Sequence, residues 1–169
     1  GSSMPTLYGG WNNTVSYKNF DLNVFFRFSG GNKIMNASRQ SALFNMDFSN
    51  NGTEILGRWV SPEQPGDGMT PKIGYGDASS LFKDGYTDSH FVESGNYLKL
   101  STLALGYTLP KAVVSKLNMT KIRFYVQGQN LLTITGYSGL DPETNSRLGV
   151  DWNGMPQQRS FTFGANITF

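Results

Sequence analysis

Apolar and polar residues alternate with a period of two along five stretches of the chain, and that period puts successive side chains on opposite faces of a β-strand. The clearest stretch is 160–169, where Phe161, Phe163, Ala165, Ile167 and Phe169 share one face and Ser160, Thr162, Gly164, Asn166 and Thr168 the other. From Ile122 onward, Ile122, Phe124, Val126, Gly128, Leu132 and Ile134 form an apolar face interrupted by Asn130, while Arg123, Gln127, Gln129 and Thr133 point the other way. Phe20, Leu22, Val24, Phe26 and Phe28 form a third, backed by Asp21, Asn23, Arg27 and Ser29, with Phe25 the one apolar exception. Upstream, 7–17 alternates more loosely. In 96–108 the parity changes between Leu98/Leu100 and Leu103/Leu105/Tyr107, which a bulge near Ser101 reconciles. The pattern predicts strands at about 6–17, 20–31, 96–108, 121–134 and 160–169.

The links between these strands alternate in length. Lys18-Asn19 is a two-residue hairpin link and 109–120 is short, whereas 32–90 and 135–159 are long, polar and rich in Gly, Pro and Asn. In an up-and-down antiparallel sheet this gathers the short turns at one end and the long loops at the other. Inside the links the sequence suggests a short helix from Ala37 to Met46 packing Leu43 and Phe44. It also suggests a turn N-capped by Asp77 through Phe82, and one helical turn at Pro110–Leu117 with Pro at its first position.

Composition narrows the class. Twenty glycines, 14% aromatics and only 15% charged residues suit turns and strands, and fit neither a helical bundle nor a disordered chain. Fourteen Lys and Arg against twelve Asp and Glu leave +2, scattered singly, so nucleic acid is an unsuitable partner. The absence of cysteine excludes disulfides, thiolate metal sites and cysteine nucleophiles. No apolar run is long enough for a transmembrane helix, and the first residues do not show the basic, apolar and cleavage-site pattern of a signal peptide. Gly1-Ser2-Ser3 reads as a cloning remnant, leaving 4–169 as the protein proper.

An alternating sheet face has two explanations: a soluble sheet covering a core, or a transmembrane barrel whose apolar face meets lipid. Strands of about ten residues match a tilted membrane crossing. Long loops at one end, short turns at the other, and Phe169 closing the last strand on the apolar face are also barrel features. Five strands cannot close such a barrel, and open edges cannot face lipid, so the chain is expected to be part of a larger one.

Specific words then carry a resemblance. Residues 8–22, reading YGGWNNTVSYKNFDL, are similar to the GG-x-NN-T-x-x-YK-x-F-x-L segment of TonB-linked outer-membrane receptors of the SusC/RagA family. The stretch from Val92 to Pro110, the Tyr125–Leu131 strand, the Tyr137–Glu143 loop and the Pro156–Phe169 terminus resemble further segments of that family in order and spacing, with Met155 where an aromatic is usual. The resemblance implies an all-β chain: five antiparallel up-and-down strands, the C-terminal part of a 22-stranded transmembrane β-barrel with long extracellular loops. It implies import of oligosaccharides or peptides across the outer membrane. The implied partners are a SusD-like surface lipoprotein, the TonB complex acting through an N-terminal part absent here, outer-membrane lipid and the cargo. Phe169 is the implied barrel-assembly signal.

No catalytic constellation, cofactor motif or metal site is legible, and an enzyme is not expected. His90 has no Ser, Cys or paired carboxylate at a recognisable motif spacing and reads as a loop residue, and Asp141-Pro142 reads as a turn, not a calcium loop. Loop aromatics are the substrate-contact candidates, because sugar rings stack on Trp and Tyr: Trp59, Tyr75, Tyr86, Tyr137 and Trp152. Each also suits plain loop packing or a membrane interface. Arg123, Gln127 and Gln129 on the polar face are candidates to touch cargo or plug, or to bond their neighbours. A soluble β-sandwich for glycan binding or adhesion is the alternative to the importer, and a passive porin a third reading.

Overall fold

The computed structural model describes residues 1–40, 50–73, 89–143 and 149–169. The chain divides into two compact units. A sheet unit comprises Pro5–Asn32, Gly95–Gly136 and Gln157–Phe169, and a loop unit comprises Gly1–Met4, Lys33–Ser94 and Tyr137–Pro156.

The sheet unit is a five-stranded antiparallel sheet of β1 (Leu7–Tyr17), β2 (Phe20–Gly30), β5 (Tyr97–Thr108), β6 (Lys121–Thr135) and β8 (Ser160–Thr168), with neighbours following chain order. Alternation is what sets its register. Phe20, Leu22, Val24, Phe26 and Phe28 lie opposite Tyr107, Leu105, Leu103, Leu100 and Leu98, and these in turn oppose Phe124, Val126, Gly128, Leu132 and Ile134. The apolar face is thereby continuous across strands, since a one-residue slip would turn every side chain over. The parity change in β5 is absorbed where expected: Phe25 and Phe26 face Thr102 and Leu100, so Ser101 is the extra residue. Against β6 the excess falls on the other strand, with Asn130 and Leu131 between the partners of Thr102 and Leu100. Asn130 takes a left-handed φ of 52°, a conformation Asn tolerates better than most residues and one that suits a bulge.

The apolar face is open. Trp11 and Phe26 stack across β1 and β2 at 5.8 Å, yet Trp11 is 56% exposed, Phe124 50% and Phe163 78%. On the polar face, Gly106 sits between Asp21 and Tyr125 in register, and a Cβ there would collide with the Arg123 guanidinium and the Asp21 carboxylate. That glycine leaves room for an ion pair crossing β5, with Arg123 Nε 2.9 Å from Asp21 Oδ1. Phe25, the apolar exception, lies over Gly10, where no side chain competes for the space.

Both short links sit at one end of the sheet. Lys18 in the hairpin turn has φ 53°. The other link carries the short helix α1 (Lys111–Val114) and a 3-10 turn at Ser115–Leu117. Pro110 precedes α1 as its cap instead of occupying the first helical position, because its ψ of 144° is extended. Its carbonyl accepts the Val113 and Val114 N–H groups.

The loop unit has a small sheet that alternation did not reveal: β4 (Val92–Ser94) antiparallel to β3 (Lys33–Asn36), and β3 parallel to β7 (Val150–Asp151). Phe91 and Met35 form its core, packed by Ile55, Ile73 and Val150. Residues 37–40 are helical, while Leu43, Phe44, the rest of the expected 37–46 helix and the Asp77–Phe82 turn lie outside the described residues. Ser2 is ordered against this unit, its carbonyl accepting the Lys33 N–H at 2.7 Å.

Candidate functional site

The densest polar cluster is in the loop unit, centred on Glu93 in β4. One carboxylate oxygen accepts the Ser138 backbone N–H at 2.7 Å, and the other accepts the Ser138 hydroxyl at 2.7 Å and Asn36 Nδ2 at 3.2 Å. Asn36 ends β3 and caps the helical residues behind it, its Oδ1 accepting the Arg39 N–H at 2.9 Å. Arg39 then grips Glu54 through Nε and a terminal nitrogen, at 3.0 and 2.8 Å, and reaches Glu93 at 3.5 Å and the His90 carbonyl at 3.3 Å. Its guanidinium also lies 5.6 Å from the centre of the Phe91 ring. The bidentate bond to Glu54 holds the Arg39 guanidinium even more firmly protonated than usual, with Glu93 adding to it.

β7 supplies the second node. Asp151 accepts the Tyr137 hydroxyl at 2.6 Å and, on its other oxygen, the Asn153 N–H at 2.9 Å. Burial pushes the Tyr137 phenol well above its ordinary pKa, and the bond to the Asp151 carboxylate pushes it further the same way. Between the nodes lies a cavity of about 200 Å³ lined by Asn36, Ser38, Arg39, Glu54, Ser138, Gly139, Leu140, Asp151 and Asn153. It offers hydrogen-bond donors and acceptors of both kinds around a partly apolar floor, which suits a neutral polar ligand.

The candidate aromatics divide. Tyr137 is only 5% exposed and committed to Asp151, so it packs the loop and offers no free ring face. Trp152, next to Asp151 and Asn153 of the cavity wall, is 70% exposed. Trp59 belongs to a different turn; it is 37% exposed, its backbone N–H donates to the Thr70 carbonyl at 2.9 Å, and Lys72 Nζ lies 5.8 Å from its ring. Tyr75 and Tyr86 lie outside the described residues. His90 stands edge-on to Phe91 at 4.9 Å beside Arg39, a packing position. Asp141 initiates a turn by accepting the Glu143 N–H at 3.0 Å. On the sheet, Arg123 is taken by Asp21, and Gln129 accepts the Ser160 hydroxyl at 3.5 Å. Glu93, Asn36, Arg39 and Asp151 were not foreseen. Glu93 falls inside a recognisable segment, but its partner Ser138 lies 45 residues away, and no local pattern joins them.

No family model matches the chain. Among curated proteins it is 32% identical to TonB-dependent receptor P3 of Formosa agariphila, over all of this chain and 17% of that protein. It is 26% identical to the TonB-dependent receptor SusC of Bacteroides thetaiotaomicron, over 95% of this chain and 15% of the receptor. The chain thus spans about a sixth of the length of the curated relatives it matches. Its fold superposes on the RagAB peptide importer in the "closed-closed" state with a TM-score of 0.83 at 26% identity, covering 99% of this chain and 18% of that one. The "open-open" state gives 0.82 with the same coverage. Along its whole length the chain is homologous to a barrel segment of SusC- and RagA-type TonB-dependent receptors.

Proposed function

We propose that the chain forms barrel wall and outer loops of a TonB-dependent outer-membrane importer of oligosaccharides or peptides. In this reading it supplies the last five strands of a 22-stranded barrel, with Phe169 as the assembly signal. The apolar face of the sheet meets lipid, the Asp21–Arg123 face meets the lumen, and the loop unit is extracellular. A SusD-like lipoprotein closes over the loops, and TonB acts through a part of the receptor outside this chain. The cavity, whose wall residues Asp151 and Asn153 flank the exposed Trp152 in sequence, is the part of the loop unit best suited to touch cargo or the lipoprotein, since amide and hydroxyl groups suit sugars and peptide bonds alike.

One observation carries the reading: a single apolar face runs across all five strands of 9 to 15 residues, with exposed large apolar side chains on every one of them. Bare to water, so wide an apolar surface would drive aggregation; against acyl chains it is the preferred surface. The sandwich alternative requires a second sheet over that face, and the openness of Phe163 and Phe124 speaks against it.

The test is spin-label accessibility in the full-length receptor in outer-membrane vesicles. Labels at Leu105→Cys and Phe163→Cys should meet dissolved oxygen and be shielded from a water-soluble nickel complex, with the opposite at Gln127→Cys and Asn166→Cys. Equal access of the nickel complex to both faces would overturn the membrane reading.

A further inference from the structure

The formal charge of +2 conceals a segregation. Eleven of the twelve carboxylates fall in the loop unit with six of the fourteen cations, while the sheet unit holds eight cations and a single carboxylate, Asp21. Asp21 is already committed to Arg123. Arg27, Lys99 and Arg159 belong to the end of the sheet where the long loops leave. The other four, Lys18, Lys111, Lys116 and Lys121, mark the short-turn end, where all are exposed and none forms an ion pair among the described residues, although Lys121 adds its charge to that of Arg123 on Asp21. They lie along one rim. The Asn19 carbonyl beside Lys18 accepts the Thr108 N–H at 2.8 Å, α1 and its following turn carry Lys111 and Lys116, and Lys121 opens β6. Four ammonium groups sharing one carboxylate that is already bonded to Arg123 repel one another unless something negative is brought to them.

Next to this rim the apolar face is aromatic: Tyr17, Phe20, Tyr107 and Phe124 border the row of Val15, Leu22, Leu105 and Val126, the Phe20 and Tyr107 rings standing 4.7 Å apart. A shallow groove of about 270 Å³ is lined there by Phe20, Leu105, Tyr107, Phe124 and Val126. Lys18 Nζ lies 5.3 Å from the Tyr17 ring centre, bringing a cation back toward the apolar side. Aromatic rings with long cationic side chains beside them form the arrangement that settles at a lipid headgroup level. An acidic peptide would satisfy the lysines and leave the groove empty. A neutral lipid would fill the groove and leave the lysines unmatched.

We propose that this end of the sheet binds an anionic phospholipid, with the phosphate headgroup on the Lys18, Lys111, Lys116 and Lys121 rim and an acyl chain in the Phe20–Phe124 groove. The inference rests on the membrane reading above. A basic residue near an anionic lipid surface contributes about fivefold in partitioning, so four lysines are enough for clear preference even when their effects are not additive.

The full-length receptor, purified in detergent, is offered phosphatidylglycerol or phosphatidylcholine of the same acyl chains, and retained lipid is counted by native mass spectrometry. Wild type should retain phosphatidylglycerol at least tenfold better. Replacing the four lysines with glutamine should remove that preference and leave phosphatidylcholine retention unchanged, while Phe20→Ser should lower retention of both lipids. The lysine variants are solvent-exposed changes, and heat-modifiable mobility on gels checks that the barrel has assembled. Equal retention of the two lipids by wild type, or a preference that survives the glutamine replacements in assembled barrels, would overturn the site. The spin-label test is separate: if it succeeds and the lipid preference is absent, only the lipid site fails.

Discussion

The sheet unit and the loop unit are held by different physics. In the sheet, backbone ladders set the structure, and the side chains sort into an apolar and a polar face, with the Asp21–Arg123 ion pair passing over Gly106. In the loop unit the strands are four, three and two residues long, and the polar side chains of Glu93, Asn36, Arg39 and Asp151 hold together segments distant in sequence. The lesson is where each unit is fragile. Steric intrusion should damage the sheet most, and loss of a single hydrogen-bonding hub should damage the loops.

The largest effect is expected at Gly106. Gly106→Leu drives a side chain into the Arg123 guanidinium and Asp21 carboxylate and forces β5 away from its partners. The full-length receptor should then fail to reach the membrane in heat-modifiable form. Arg123→Gln, which removes the ion pair and keeps the space, should assemble nearly normally, because a partly exposed pair contributes only about 0–1 kcal/mol. Equal damage from both variants would mean that charge, and not space, is the constraint on the sheet.

Glu93→Ala comes next. It strands Ser138 and Asn36 and takes one of two carboxylates from Arg39, all around a side chain that is only 14% exposed. Loss of a hydrogen-bonded buried charge predicts about 2–3 kcal/mol. Hydrogen exchange in the full-length receptor should show faster exchange in β3, β4 and the segment around Ser138, with β5 and β6 protection unchanged. Loosening of both units together would erase the distinction between them.

The same contrast decides what the sequence could disclose. The sheet was legible because period-two alternation is local: the parity switch around Ser101 and the interruption at Asn130 both correspond to the bulges seen. β3, β4 and β7 were illegible because two to four residues cannot display a period, and β3 pairs with β7 across more than a hundred residues. Tyr137 shows the limit at the site. As a loop aromatic it reads as a contact candidate, yet its burial depends on Asp151, and nothing nearby in sequence signals it. Charge was misleading for a related reason: the sum over the chain is small because the two units have opposite signs, and only division at the strand ends exposes the lysine rim.

Tyr137 also offers the finest test of the comparison. Its folded-state pKa is raised, so the folded loop unit holds the phenolic proton more tightly than the unfolded chain does. That contribution is fully present below the unfolded value of about 10 and is lost as pH rises from there toward the folded value. Local stability of the loop unit, followed by hydrogen exchange or limited proteolysis of the full-length receptor, should therefore fall as pH passes about 10. Tyr137→Phe should lower stability at neutral pH by about 1 kcal/mol, the net value of one hydrogen bond, and flatten the alkaline decline because no phenol remains to ionise. The β5–β6 pairing contains no such bond and should not follow the Tyr137 profile. An unchanged alkaline slope in Tyr137→Phe would assign the decline to other groups and remove Tyr137–Asp151 from the bonds that set the loop unit apart.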